Sequence, residues 1–233
     1  MTVLDWLRGP ARLTGTKEGC AEGDCGACSV LVGDPSEEGA EPRVHYHAAN
    51  SCILAMGQID GRALVTVEGL KGEQLHPVQL AMAENGSSQC GFCTPGIVIS
   101  IAGLAAAKPE SGEQDIHDAL AGNLCRCTGY RPIVEAARKV IGAGGAGVSG
   151  PAVMAFAKIE PRRSVSAGGA SFDQPGTLNA LLQLRKERPQ AILLGGGTDL
   201  GVALATPRSV PPPSKIACGL SLRSCRSALS VPG

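Results

Sequence analysis

Apolar residues change their spacing near residue 75, and the change divides the chain. Before it they come in short runs or alternate with polar residues. "CSVLV" (28–32), "RVHYH" (43–47) and "ALVTVEG" (63–69) each predict a β-strand. Between the last two, "NSCILAMGQ" (50–58) predicts a helix capped by Asn50, with Cys52 in its first turn. After residue 75 the period becomes helical. "LHPVQLAMAENG" (75–86) carries Pro77 in its first turn and Gly86 at its end. "TPGIVISIAGLAAAK" (94–108), "EQDIHDALAGN" (113–123) and "YRPIVEAARKVIG" (130–142) predict three more helices, each bounded by Gly, Pro or Asn. The pattern describes a small α+β unit followed by a four-helix unit.

The glycine-rich stretch "GAGGAGVSG" (142–150) contains a formal G-x-G-x-x-G at Gly142, Gly144 and Gly147. A dinucleotide fingerprint needs a strand before it and a helix after it. Here a helix precedes and Pro151 follows, so residues 142–171 are expected as a flexible linker. Beyond it, "FDQPGTLNALLQLRKERPQAILLGGGTDLGVALA" (172–205) predicts a helix, the strand "AILL", a glycine turn and a further apolar element. Gly195, Gly196 and Gly197 let the backbone approach a phosphate closely, and Thr198 adds a hydroxyl donor. A tight turn with no ligand is the alternative. From Thr206 the character changes again: 28 residues hold six serines, three consecutive prolines and no Asp or Glu.

Composition narrows the class. A chain of 233 residues with 43% hydrophobic content is long enough for one or two cores. Only 3% of residues are aromatic, so those cores are built from Ala, Val, Leu and Ile. Net charge is zero; residues 1–93 carry twelve acids against six Lys or Arg, and the remainder nine against fifteen. An imbalance that mild gives no clustered basic face for nucleic acid. The N-terminus "MTVLDWLRGP" is not a secretory signal, and no apolar run reaches the roughly 18 residues of a membrane helix. A cytoplasmic location is expected, where glutathione disfavours disulfides.

Ten cysteines give the chain its chemistry, at 20, 25, 28, 52, 90, 93, 125, 127, 218 and 225. The first four read Cys20-x4-Cys25-x2-Cys28 and then Cys52, the spacing with which plant-type ferredoxins hold a [2Fe-2S] cluster. Gly19, Gly23 and Gly26 allow the loop to turn backbone N–H groups toward sulfur. Four thiolates already leave excess negative charge, so Glu18, Glu22 and Asp24 are expected to face solvent. The second four read Cys90-x2-Cys93 and Cys125-x-Cys127 across a gap of 31 residues. Paired zinc knuckles use two C-x2-C units with a shorter gap, so zinc fits less well, though it stays an alternative.

With these residues in view, the chain resembles the iron–sulfur part of the xanthine dehydrogenase family of molybdenum hydroxylases. The resemblance lies in "LTGTKEGCAEGDCGACSVLV", "NSCILAMGQIDG", "LHPVQLAMAENGSSQCGFCTPGIVIS" and "DALAGNLCRCTGYRPIVEAAR", roughly residues 2–141. It implies an α+β fold: a ferredoxin-like β-grasp domain over 1–70, a helical [2Fe-2S] domain over 71–141, the linker 142–171, the start of an FAD-binding domain over 172–205, and an unmatched tail over 206–233. It implies that Cys20, Cys25, Cys28 and Cys52 hold the cluster nearer flavin, and Cys90, Cys93, Cys125 and Cys127 the one nearer molybdenum. Gln89 would approach the pterin; a helix cap is its bland alternative. Leu194, Gly195, Gly196, Gly197, Thr198, Asp199 and Leu200 would form the FAD pyrophosphate loop. The implied partner is a molybdopterin-binding large subunit in a heterotetramer, with NAD as acceptor and no catalytic residue on this chain.

Two departures from the family qualify this. The ferredoxin-like domain is expected to lack the β-hairpin that precedes "LDWLR", exposing a strand edge. The tail is expected to reflect a shifted reading frame or a premature end, leaving Cys218 and Cys225 incidental and FAD binding weak or lost. An iron–sulfur subunit of aldehyde or carbon monoxide type is the nearest alternative within the family. Among single residues, His45 and His47 are expected to face solvent, His76 and His117 to be structural or exposed, and Trp6 to pack in the first core. Arg126 and Arg131 would rim the last cysteine pair.

Overall fold

The computed structural model describes residues 1–36, 43–144, 147–148, 164–167, 170–205 and 216–218. The first element is a helix that periodicity alone did not reveal, α1 (Val3–Arg8). Thr2 caps it reciprocally with Asp5, and Val3, Leu4 and Leu7 form its buried face. Strands β1 (Ser29–Ser36), β2 (Arg43–Asn50) and β3 (Ala63–Val65) form a sheet of order β2-β1-β3, antiparallel throughout. One core lies between α1 and this sheet, where Val3, Leu7, Val30 and Val32 are buried and Trp6 packs against them as expected.

The expected helix over 50–58 is not formed. β2 continues through Asn50, paired with Ser29. The backbone N–H and hydroxyl of Ser51 then both donate to the Cys28 carbonyl, at 3.3 and 2.7 Å. The carbonyls of Ser51 and Leu54 accept from the N–H groups of Leu4 and Val3 at the start of α1. Carbonyls committed to the free N–H groups of another helix cannot propagate a helix of their own. Only a 3-10 turn, Met56–Ile59, remains. β3 is likewise shorter than expected, because Thr66 starts a turn: its carbonyl accepts from Leu70 N–H and its hydroxyl from Gly69 N–H.

The four expected helices are present: α2 (Pro77–Glu84), α3 (Thr94–Ala107), α4 (Glu113–Leu120) and α5 (Arg131–Gly142). His76 caps α2, accepting from Val78 N–H through Nδ1 at 3.3 Å, which gives it a structural role. α3 is apolar on nearly every side and is the central element, with Ile97, Ile99, Ile101 and Ala102 fully or almost fully buried. It lies on β1 closely enough that a side chain at Gly103 would meet Leu31 at 2.9 Å. Leu31 belongs to the same buried cluster as the helices, so sheet and helical unit share a core.

A further sheet has the order β4-β5-β7-β6, from β4 (Ser164–Ala167), β5 (Ala170–Asp173), β6 (Ile192–Leu194) and β7 (Ile216–Cys218). The end of the stretch expected as linker is therefore sheet, because β4 and β5 pair as an antiparallel hairpin. Likewise, part of the tail is structured: β7 lies parallel to both β5 and β6. Helices α6 (Leu178–Glu187) and α7 (Thr198–Ala205) flank β6. Among the described residues, this unit meets the loop 53–58 of the first one. Gln174 Nε2 donates to Gly57 O at 2.6 Å, Gln58 Nε2 to Gly196 O at 3.1 Å, and a side chain at Gly201 would collide with the Ile53 carbonyl. Cys225 lies outside the described residues. No described helix is long and apolar enough to cross a membrane.

Candidate functional site

The first three thiols sit on the loop between α1 and β1, and the fourth on the turn after β2. Gly23 and Gly26 adopt φ of +91° and +67°, as the loop requires. Gly19 keeps an ordinary φ; its role is space, since a side chain there would lie 2.8 Å from Cys25 Sγ. Asn50 Nδ2 ties the loop to the sheet by donating to Gly23 O at 2.6 Å. Backbone N–H groups point at sulfur: Glu22 and Asp24 donate to Cys20 Sγ at 3.5 and 3.3 Å, and Cys20 donates to Cys25 Sγ at 3.4 Å. The carboxylates of Glu18, Glu22 and Asp24 are exposed, as the charge argument expects.

Within this quartet the sulfurs come in twos. Cys28 and Cys52 are buried with Leu4, their Sγ atoms 3.3 Å apart, and Cys25 lies beside Cys20. Two buried sulfurs so close share one proton. The contact to Cys52 therefore draws the Cys28 thiol down to about 7, while sharing with Cys28 pushes Cys52 up. Burial pushes Cys20 up, but its backbone donors outweigh burial and leave it below the ordinary thiol value.

The second quartet is set between helices. Cys93 caps the start of α3, Cys90 lies in the turn before it, and Cys125 and Cys127 occupy the turn between α4 and α5. Cys90 faces Cys127, and Cys93 faces Cys125. Burial, and then Cys125, raises Cys93 to about 12. Burial raises Cys125 too, yet the Thr128 hydroxyl at 3.1 Å and the Thr128 N–H bring it below its ordinary value. Cys90 is exposed and lowered by the Phe92 N–H; Cys127 is exposed and raised by its contact with Cys90. Among the described residues no three His, Cys, Asp or Glu groups converge on one ion position. Thiols arranged two by two suit a pair of irons with two thiolates each better than a single tetrahedral zinc.

Tyr130 fixes the second turn. Its φ of +67° is a strained value for a side chain of this size, and its hydroxyl accepts from Cys125 N–H at 2.8 Å while donating to Asn123 O at 3.0 Å. The two quartets meet through the backbone: Leu124 N–H donates to Cys25 O at 3.0 Å. Asn123, Ser100, Gly96, Thr128 and Tyr130 were not singled out by sequence reasoning. Asn123, Thr128 and Tyr130 lie in "NLCRCTGY", where the cysteines and Arg126 drew attention.

Other expected site residues are placed as follows. Gln89 is exposed just before Cys90 and caps no helix, since Cys93 takes that position for α3. Arg126 is exposed, and Arg131 pairs with Glu135 at 3.0 Å. His45 and His47 are exposed on β2, with His47 Nδ1 3.7 Å from Asp34. His117 is exposed beside Glu113. Leu194, Gly195, Gly196, Gly197, Thr198, Asp199 and Leu200 form a strand, a turn and a helix start. Gly196 and Gly197 have φ of +90° and +75°, and a shallow concavity of about 400 Å³ opens over the turn.

This site defines an iron–sulfur protein, and residues 66–138 match the family model described as "[2Fe-2S] binding domain". Among curated proteins, aldehyde oxidase 3 of Mus musculus is 34% identical over 87% of this chain and 18% of its own length. Xanthine dehydrogenase 1 of Arabidopsis thaliana is 33% identical over 89% of this chain and 20% of its own. Among solved structures, quinoline 2-oxidoreductase from Pseudomonas putida 86 is 36% identical, covering 62% of this chain and 83% of that one, with a TM-score of 0.52. The chain belongs to the xanthine dehydrogenase and aldehyde oxidase family of molybdenum hydroxylases, as an iron–sulfur member. It spans about a fifth of the length of the two curated relatives.

Proposed function

We propose that this chain is the electron-transfer part of a xanthine dehydrogenase type hydroxylase. Electrons from substrate oxidation on a molybdopterin-binding partner would enter at Cys90, Cys93, Cys125 and Cys127, pass to Cys20, Cys25, Cys28 and Cys52, and leave toward FAD and NAD. The observation that carries this is the arrangement of eight thiols as two quartets, each paired two by two and joined through Leu124 N–H and Cys25 O. The domain division 1–70, 71–141, 142–171, 172–205 and 206–233 goes with this reading, as does a cytoplasmic heterotetramer.

A [2Fe-2S] cluster, when bound, supplies a one-electron carrier. The chain's own residues do the rest. Backbone N–H groups of Cys20, Glu22 and Asp24 offset sulfur charge, and the Thr128 hydroxyl does the same at Cys125. Leu4 and the burial of Cys28 and Cys52 keep water from one side of the first quartet. Cys90 and Cys127 leave the second quartet open, with Phe92 and Leu124 exposed around it, a rim suited to a docking partner near Gln89. The turn Gly195–Gly197 would receive the FAD pyrophosphate, with Thr198 and Asp199 opening the helix behind it.

Relatives named for xanthine and for aldehyde match at 33% and 34% identity, so an aldehyde oxidase type chain is the second reading. Anaerobic purification with iron, zinc and visible absorption measured together tests the carrier role. About four irons per chain with a brown spectrum is the expected result. Zinc with no iron would overturn it.

A further inference from the structure

Asn123 is 3% exposed and stands where the two cysteine-bearing segments meet. Its Nδ2 donates to Gly26 O at 3.1 Å and lies 3.5 Å from Ser29 Oγ. Its Oδ1 accepts from Ser100 Oγ, on α3, at 2.6 Å. Its backbone carbonyl accepts from the Tyr130 hydroxyl that also holds Cys125 N–H. One side chain thus joins the first cysteine loop, the central helix and the second cysteine turn, across 97 residues of sequence. There is no slack around it. A side chain at Gly26 would lie 2.5 Å from Asn123 Nδ2, and one at Gly96 would collide with the Gly26 carbonyl.

We propose that Asn123 is the positioning residue that sets the two thiol quartets in fixed register, by holding the Leu124 N–H on the Cys25 carbonyl. That hydrogen bond is a short route between the quartets. It runs from Cys25 through its own carbonyl to the Leu124 amide and on to Cys125. Nothing exposed could hold it: the Leu124 side chain is 59% exposed, so packing of that residue does not fix the turn. A buried amide with both ends satisfied does, since displacing it takes from Ser100 Oγ its acceptor and from Gly26 O one of three donors, the other two being the Ser29 N–H and hydroxyl. The register itself does not depend on metal. Its consequence for electron transfer rests on the carrier role proposed above.

Two readouts separate these. In the full chain, Asn123→Asp keeps the shape and removes the donor to Gly26, while Ser100→Ala removes the opposite anchor. Amide hydrogen exchange at Leu124 is expected to accelerate about tenfold in Asn123→Asp, equivalent to about 1.4 kcal/mol, and less in Ser100→Ala. Amides of α3, such as that of Ile97, should keep their protection and so report that opening is local. Unchanged Leu124 exchange in Asn123→Asp overturns the proposal; if that variant does not fold, unchanged exchange in Ser100→Ala does so. In reduced protein with full iron, spin–spin splitting between the two centres is expected in the parent and diminished in Asn123→Asp. Identical splitting at equal iron also overturns the proposal. A parent without iron would sink the carrier role, and the exchange result would still decide the role of Asn123.

Discussion

The two thiol quartets use the same four ligand atoms in opposite surroundings. The first is built on a sheet: Cys28 and Cys52 are 2% and 1% exposed, the loop is tied to β2 by Asn50, and α1 covers it through Leu4. The second is built on helix ends, where Cys90 and Cys127 are exposed and only Cys125 is buried. A sheet with long-range pairing can bury a loop against a covering helix. Helix termini leave backbone groups and side chains facing outward. Backbone N–H groups point at sulfur in both quartets, from Glu22 and Asp24 at Cys20 and from Phe92 at Cys90, and the second adds the Thr128 hydroxyl at Cys125. The first is shielded at Cys28 and Cys52 and the second is open at Cys90 and Cys127, a contrast that fits the carrier role proposed above.

Breaking the seam between them should have the largest effect. Gly96→Val drives a side chain into the Gly26 carbonyl, an overpacking that costs about 3 kcal/mol, and thermal unfolding should show a markedly lower Tm. A Tm within a degree or so of the parent would mean that the two units are not packed there. Removing single ligands comes next. Cys28→Ser and Cys125→Ser should each lower bound iron by about half and spare the other quartet, as counted by iron analysis and absorption. Loss of all iron in either variant would make the quartets interdependent.

A smaller change is expected at the first loop alone. Asn50→Ala removes the donor to Gly23 O and should cost about 1 kcal/mol, with faster loss of iron to a chelator from the first quartet only. The smallest effect sharpens the contrast in exposure. In metal-free chain at neutral pH, iodoacetamide should label Cys90 before Cys127. Cys90 is lowered by the Phe92 N–H and becomes thiolate as pH rises toward its ordinary value; Cys127 is raised and stays a thiol longer. Cys28 and Cys52 should remain unlabelled until the fold opens, because burial denies access. Peptide mapping by mass spectrometry reads the order directly.

Much of this was legible in the sequence. Cysteine spacing marks both quartets, because ligand geometry constrains local separation. Pro and Gly punctuation marks α2 to α5, because caps are local chemistry. The turn Gly195–Gly197 follows from residues that take positive φ without strain. Other features needed the tertiary structure. "NSCILAMGQ" has a helix-like pattern, yet its carbonyls are taken by Val3 and Leu4, which are distant in sequence. α1 forms on six residues because the loop after β2 receives its first N–H groups. β7 appears in a stretch with no recognisable period because β5 and β6 both pair with it. Asn123 looked like one polar residue in a cysteine motif; Gly26 and Ser100 give it meaning only once α3 lies against the first loop. Local chemistry thus wrote the ligands and the caps into the sequence. The distance and register between the two sites come from contacts between residues far apart in the chain, which no local pattern encodes.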